Sequence, residues 1–201
     1  ILRPAMTSQF MTYIEFPSEV KSHMSDRGLA DPQGGVLRGG LNLACSEASL
    51  PGSSLATLEL TSDHTGVTER HVHRRMFDDR IDLTFYVDAQ NYLPIRAFEF
   101  WKEYITGEGT PQEFGRANHF YRMNYVDDYA LEQGFKVVKF ERDFDGSFKG
   151  NNGIVNGTQR GLTYNFVRAF PIAVASMPVS YDTSSLLKCT VSMTYIRYYI
   201  T

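Results

Sequence analysis

Fifteen residues near the end of the chain, "LLKCTVSMTYIRYYI" (186–200), constrain its architecture more than any other stretch. Leu187, Cys189, Val191, Met193 and Tyr195 fall on one side of an extended backbone. Lys188, Thr190, Ser192 and Thr194 fall on the other. Alternation with period two marks a strand with one buried face and one wet face. Read as a single strand, residues 187–199 span ~43 Å at ~3.3 Å per residue. A compact domain of this length has a radius of gyration of ~16 Å. The strand is therefore expected to cross the whole domain, with small hydroxyls along one side.

The rest of the chain repeats the pattern. Strands are expected over residues 9–16, 36–48, 55–63, 76–88, 118–127, 134–143 and 162–176. The second is interrupted by Gly39-Gly40, and the last is interrupted or ended near Pro171. In 55–63, Ala56, Leu58 and Leu60 oppose Thr57, Glu59 and Thr61. In 76–88, Ile81, Leu83, Phe85 and Val87 oppose Asp82, Thr84 and Tyr86. Gly, Ser, Asp and Asn density predicts loops over 17–35 and 146–161, and mixed charge predicts a polar loop over 64–75. One good helix is expected, over 94–109. Pro94 suits its first turn, Gly107 suits its stop, and Ile95, Phe98, Trp101 and Ile105 make an apolar stripe. Many long strands and one helix predict a mainly β fold: an antiparallel barrel or sandwich with a helix packed on it. Phe85, Phe98, Trp101 and Val191 are the expected core. One domain is expected to span residues 1–201, the loops at 17–35 and 146–161 being insertions.

Composition narrows the function. A net charge of −3 argues against binding nucleic acid by neutralising phosphates. It leaves open nucleic acid passing close by. No apolar run approaches the ~20 residues of a membrane helix, so no membrane binding is expected. The opening "ILRPAMTSQF" lacks the apolar region of a secretory signal. Two cysteines, Cys45 and Cys189, do not make a disulfide framework and are expected reduced.

Catalytic and metal motifs are missing. His71 and His73 project to one side of a strand, but no third ligand stands at a diagnostic spacing, so no metal is expected. Asp78-Asp79 and Asp127-Asp128 are adjacent pairs whose carboxylates point to opposite faces of a strand. The Gly-rich "TGEGT" follows a helix instead of preceding one, so it is not a phosphate cradle. No catalytic residue, cofactor or enzymatic activity is expected.

Three segments carry a resemblance through their order and spacing. "LACSEASLPGSSLATLEL" (43–60) is a strand, Leu-Pro-Gly and a strand. "FDDRIDLTFYVDAQNYLPIRAFEFWKEYITGEG" (77–109) is Phe-Asp-Asp, a strand and a helix with a central Trp. "YNFVRAFPIAVASMPVSYDTSSLLKCTVSMTYIRYYI" (164–200) ends in the long closing strand. Together they resemble the tail tube proteins of contractile-tailed bacteriophages, over residues 9–200. That family is similar to the tube proteins of pyocins and type VI secretion systems.

The resemblance implies a structural virion protein. Six subunits form a ring, each completing a shared inner β-barrel, and rings stack into a tube inside a contractile sheath. The tube is the conduit for genome ejection. Implied partners are further copies of the chain and the sheath, baseplate and tail-terminator proteins. Tape measure protein and genomic DNA pass through the lumen without sequence-specific binding. The implied location is the virion tail, after synthesis in the host cytoplasm. Thr57, Glu59, Thr61, Asp82, Thr84, Thr190, Ser192 and Thr194 are expected to face the lumen, where Glu59 and Asp82 repel phosphates. Lys188 lies in phase with them and Arg197 adds further positive charge. The stretch with Val67, Glu69, Arg70, His71, His73, Arg74 and Arg75 links two long strands, so it is expected to stack rings. Rival readings are a tube-initiating baseplate protein of the same fold, a secretion-system tube protein, and a monomeric ligand-binding barrel with an apolar interior.

Overall fold

The closing stretch is not one strand. It forms β11 (Lys188–Thr194) and β12 (Arg197–Ile200), which lie in two different sheets. The segment before it breaks in the same way, into β9 (Gly161–Val167) and β10 (Phe170–Val174). The register of the two arms is unbroken across the corner: Arg197 faces Val167 in one sheet, and Thr194 faces Phe170 in the other. Residues 161–174 and 188–200 are thus one antiparallel arm, bent where it passes from sheet to sheet. At the bend Arg168 has φ +55°, a left-handed conformation that terminates a strand. The Ile196 N–H donates to Val167 O at 3.1 Å, which closes the corner. The break thus falls at Arg168–Ala169; Pro171 sits inside β10, beside a bulge.

This computed structural model describes residues 5–29, 40–61, 64, 66–107, 122–141, 154–155, 158–159, 161–182 and 185–201. The remaining strands are β1 (Phe10–Ile14), β2 (Cys45–Ala48), β3 (Ser53–Leu60), β4 (Glu69–Phe77), β5 (Arg80–Tyr86), β6 (Phe135–Phe140), β7 (Ile154–Val155) and β8 (Thr158–Gln159). The helices are α1 (Ser18–Asp26), α2 (Leu41–Ala44), α3 (Leu93–Thr106) and α4 (Val126–Tyr129). A first sheet has the order β1-β6-β9-β12 and a second β10-β11-β5-β2; β3-β4 and β7-β8 are separate two-stranded pairs. All pairings are antiparallel.

Several expectations need correcting. The loop at 17–35 contains α1, which buries Val20 and Met24 one turn apart. Its residues 30–35 lie outside the described ones. The strand at 36–48 is α2 followed by the short β2, and its residues 36–39 lie outside the described ones. The polar loop at 64–75 is largely strand: β4 starts at Glu69 and pairs with β3. The strand at 118–127 is not formed where it is described; residues 122–125 are irregular and α4 follows. The insertion at 146–161 includes the β7–β8 pair, and most of the rest lies outside the described residues. The fold therefore carries more than one helix.

Helix α3 is the central packing element. Gly107 ends it in the left-handed conformation, φ +67°, and a Cβ there would collide with the Arg122 carbonyl. Its Phe98 lies 5.4 Å from Phe85 of β5, ring to ring. Phe16 meets Trp101 edge-on at 5.1 Å, and Trp101 Nε1 donates to Tyr129 O at 3.0 Å. Phe85, Phe98, Trp101 and Val191 are all fully buried. The first sheet adds Phe135 stacked on Phe166 at 4.5 Å, with Tyr195 edge-on to Phe166 at the corner. The core thus fills the space between the sheets and beneath α3.

Candidate functional site

The second sheet has two unlike faces. Ile81, Leu83 and Phe85 of β5 and Cys189, Val191 and Met193 of β11 turn inward and are buried. The pleat forces the residues between them outward. These are Arg80, Asp82, Thr84 and Tyr86, opposite Thr194, Ser192, Thr190 and Lys188. The outward residues bond to one another across the strands. Ser192 Oγ donates to Asp82 Oδ1 at 2.5 Å, and the Thr84 and Thr190 hydroxyls lie 3.2 Å apart. Thr194 Oγ1 donates to Asp79 O at 2.8 Å. Lys188 Nζ sits over the Tyr86 ring, 5.3 Å from its centre. The face carries both signs of charge, with Arg80 and Asp82 at one end and Lys188 at the other.

Five of the residues expected to share a wet face are therefore brought together: Asp82, Thr84, Thr190, Ser192 and Thr194. Thr57, Glu59 and Thr61 are not. Thr57 and Glu59 lie in β3 and Thr61 directly follows β3, within the β3–β4 hairpin and apart from that sheet. Arg80 and Tyr86 join the face by the same alternation. Glu47 reaches it from β2, opposite Thr84 past a bulge, and that irregularity hides it from a simple count.

Both edges of the second sheet are open among the described residues. β10 pairs only with β11, and β2 only with β5. An unpaired edge presents backbone N–H and C=O groups ready for another strand.

The hairpin is exposed on both faces. Leu55, Leu58 and Leu60 of β3 and Val72 and Met76 of β4 are uncovered. Its charges partly pair: Arg70 Nε lies 2.8 Å from Glu59 Oε1, and His71 Nε2 lies 3.1 Å from Glu69 Oε2. At its base the Gly52 N–H donates to Asp78 Oδ2 at 2.5 Å. Val67, Arg74, Arg75 and His73 are exposed as well.

Several titrating groups are shifted by their surroundings, three of them in or beside the second sheet. Burial pushes the Cys45 and Cys189 thiols up to about 11. Both are free, and they flank Phe85 on opposite sides, with β5 between their strands. Burial works against the Asp88 carboxylate, but N–H donors from Leu93 and Asn91 outweigh it and lower its pKa. Asp88 thereby satisfies the first amide of α3, whose preceding residue Tyr92 supplies no side-chain cap.

Among the described residues no cluster of three or more His, Cys, Asp or Glu is placed to hold a metal ion. No described helix is long and apolar enough to cross a membrane.

No curated protein matches the chain. Solved structures do. The fold is similar to a chain of the anti-feeding prophage baseplate, a six-fold symmetrised cryo-EM structure. The TM-score is 0.51 at 12% identity, covering 100% of this chain and 97% of that one. It is also similar to a chain of the anti-feeding prophage tube terminating cap, at TM-score 0.52 and 13% identity, covering 100% and 93%. These likenesses are of fold. The sequence itself matches the model of the phage tail tube protein family over residues 5–201, and the chain belongs to that family.

Proposed function

We propose that six copies of this chain close into a ring, and that rings stack into the tail tube of a contractile phage-like particle. The carrying observation is the second sheet: four strands, one face buried by the subunit's own core, an outward face that is polar along β5 and β11, and both edges unpaired among the described residues. Pairing the β10 edge of one copy with the β2 edge of the next removes every such edge once the ring closes. Six copies of four strands make a barrel ~48 Å across at the backbone. The six-fold count is that of the anti-feeding prophage baseplate.

In this reading the lumen is lined by Asp82, Thr84, Thr190, Ser192 and Thr194. Small hydroxyls leave it unobstructed. Asp82 repels phosphates while Arg80 and Lys188 attract them, and the mixed charges let tape measure protein and genomic DNA slide through without being held. The outside of the ring faces the sheath, and the tube ends meet baseplate and terminator proteins. The role is structural, performed in the tail of the particle after synthesis in the host cytoplasm. Thr57, Glu59 and Thr61 reach the lumen only if the hairpin lies along it.

Electron microscopy and mass measurement of the purified protein test this. Six-subunit rings and stacked tubes are expected at micromolar concentration. A folded monomer at every concentration and salt overturns the proposal. A single ring per particle places the chain at a tube end instead.

A further inference from the structure

We infer that the short segment 127–131 is a register stop for ring closure: it caps one end of the open β10 edge and so fixes where β2 of the next copy pairs. The inference rests on the ring reading and names the residues that set its register.

Three ties hold this segment to the corner of the bent arm. Leu131 and Ala169 exchange both backbone bonds: the Leu131 N–H donates to Ala169 O at 2.9 Å, and the Ala169 N–H donates to Leu131 O at 3.1 Å. Asp127 pairs with the Arg168 guanidinium, and Tyr129 meets Phe170 edge-on at 5.3 Å. Trp101 Nε1 donates to Tyr129 O and so fastens the segment to α3. Tyr129, Ala130, Leu131 and Ala169 are all buried.

The segment stands on the side that matters. β12 flanks one side of β9, and β6 flanks the other. Leu131 leads into β6, so it lies on the side of the arm away from β12 and β11. The open edge of β10 begins on that same side. Leu131 takes both backbone groups of Ala169, so a strand added there starts no earlier than Phe170. The opening runs over Phe170–Val174.

The incoming strand fits this opening in one way. β10, β11, β5 and β2 alternate in direction. Rotation about the barrel axis keeps direction, so β2 of the next copy runs antiparallel to β10. Its last residue, Ala48, then lies at the Phe170 end, next to Leu131. β2 has four residues and β10 five, which leaves one step of freedom. A one-residue step turns every side chain to the other face and is excluded. A slide of two residues toward Ala169 would keep the faces, and Leu131 blocks it. Such a slide would change the stagger between copies, and stagger, tilt and girth of a barrel are linked. The stop thereby selects one ring size.

Native mass spectrometry of charge-swap variants tests this. Wild type is expected as six-copy rings. Asp127→Arg and Arg168→Asp each set like charges against one another, and Asp tolerates the left-handed φ of position 168. Each is expected to cut the six-copy share at least threefold, in favour of other ring sizes and open arcs. The double swap restores the pair and the six-copy share. The pair lies at the surface, so unfolding midpoints of the free subunit stay near wild type. A merely structural role would move the midpoint and not the ring count. Six-copy rings undiminished in both single swaps overturn the inference and leave the ring reading standing. So does a loss that the double swap does not restore, or a fall in ring yield with six copies still the only size. Wild-type protein that forms no rings overturns both readings.

Discussion

Ser192 and Asp82 are joined across the β5–β11 pair by a 2.5 Å hydrogen bond on the open face of the second sheet. The bond lies in water, so it orders the face more than it stabilises the fold. Asp82→Lys is expected to change unfolding free energy by no more than about 1 kcal/mol. If this face lines the channel, as proposed, the variant adds a third cation beside Arg80 and Lys188 and removes the carboxylate. DNA retention by tubes should then rise and fall steeply with added salt. Filter retention of labelled duplex at two salt concentrations reads this. Salt-independent retention equal to wild type shows that Asp82 is not in the channel.

Trp101 is fully buried and its indole N–H is committed to Tyr129 O. Trp101→Ala is expected to cost about 3–5 kcal/mol. Trp101→Phe should cost less, since it keeps a ring but leaves a carbonyl unpaired at about 1–3 kcal/mol. Urea unfolding of the three proteins gives the order. Equal midpoints would mean that α3 is not docked on the sheet through this residue.

Gly107 is expected to tolerate no side chain. Its φ of +67° is costly for other residues, and any Cβ meets the Arg122 carbonyl. Gly107→Ala should lower the thermal midpoint by more than the few degrees that correspond to about 1 kcal/mol. A Gly28→Ala control separates the two causes, since Gly28 also has positive φ but open space around it. Equal losses in the two variants would rule out the collision as the cause.

The Asp88 carboxylate holds the start of α3, and its pKa is lowered. A depressed folded pKa gives stability that is present above the unfolded value, 3.8, and is lost as pH falls through the folded one. Asp88→Ala should cost about 1 kcal/mol at neutral pH. The difference from wild type should shrink steadily below pH 3.8. A gap that stays constant down to the acid limit would mean that the charge of Asp88 plays no part.

Cys45 and Cys189 titrate near 11 because burial penalises their thiolates. Raised folded values give stability that is present below the unfolded value, 9.0, and is lost as pH rises toward 11. The same shift predicts slow alkylation of the native protein at pH 8 and fast alkylation once it is unfolded. Mass spectrometry after iodoacetamide treatment counts the adducts. Cys45 is half-buried and Cys189 fully buried, so rapid labelling of Cys189 in the native protein would contradict its burial.

Legibility in the sequence followed exposure. β5 and β11 each have one buried and one wet face, so period two marked them and placed Asp82, Thr84, Thr190, Ser192 and Thr194 in phase. β4 is wet on both faces, so "ERHVHRRM" shows no alternation and reads as loop. The Val20–Met24 spacing was the available signal for α1, but the surrounding polar residues masked it. The break between β11 and β12 left only a late mark in its own strand: Tyr195 continues the buried series, and the alternation fails just after it, where Arg197 falls in the buried phase and Ile196 in the wet one. Its cause lies on the neighbouring arm, at Arg168. A correct face assignment therefore came with a wrong strand length.

The bent arm also sets a route for load. A pull along β11 reaches β12 through covalent backbone, and along β10 it reaches β9 in the same way. Neither transfer depends on side chains slipping past one another at the interface between sheets. Hydrogen bonds next to the corner share one register on both sides, up to the bulge beside Pro171, so a stretch across the corner loads them in shear. Within one subunit, the two sheets are thus tied by backbone as well as by packing.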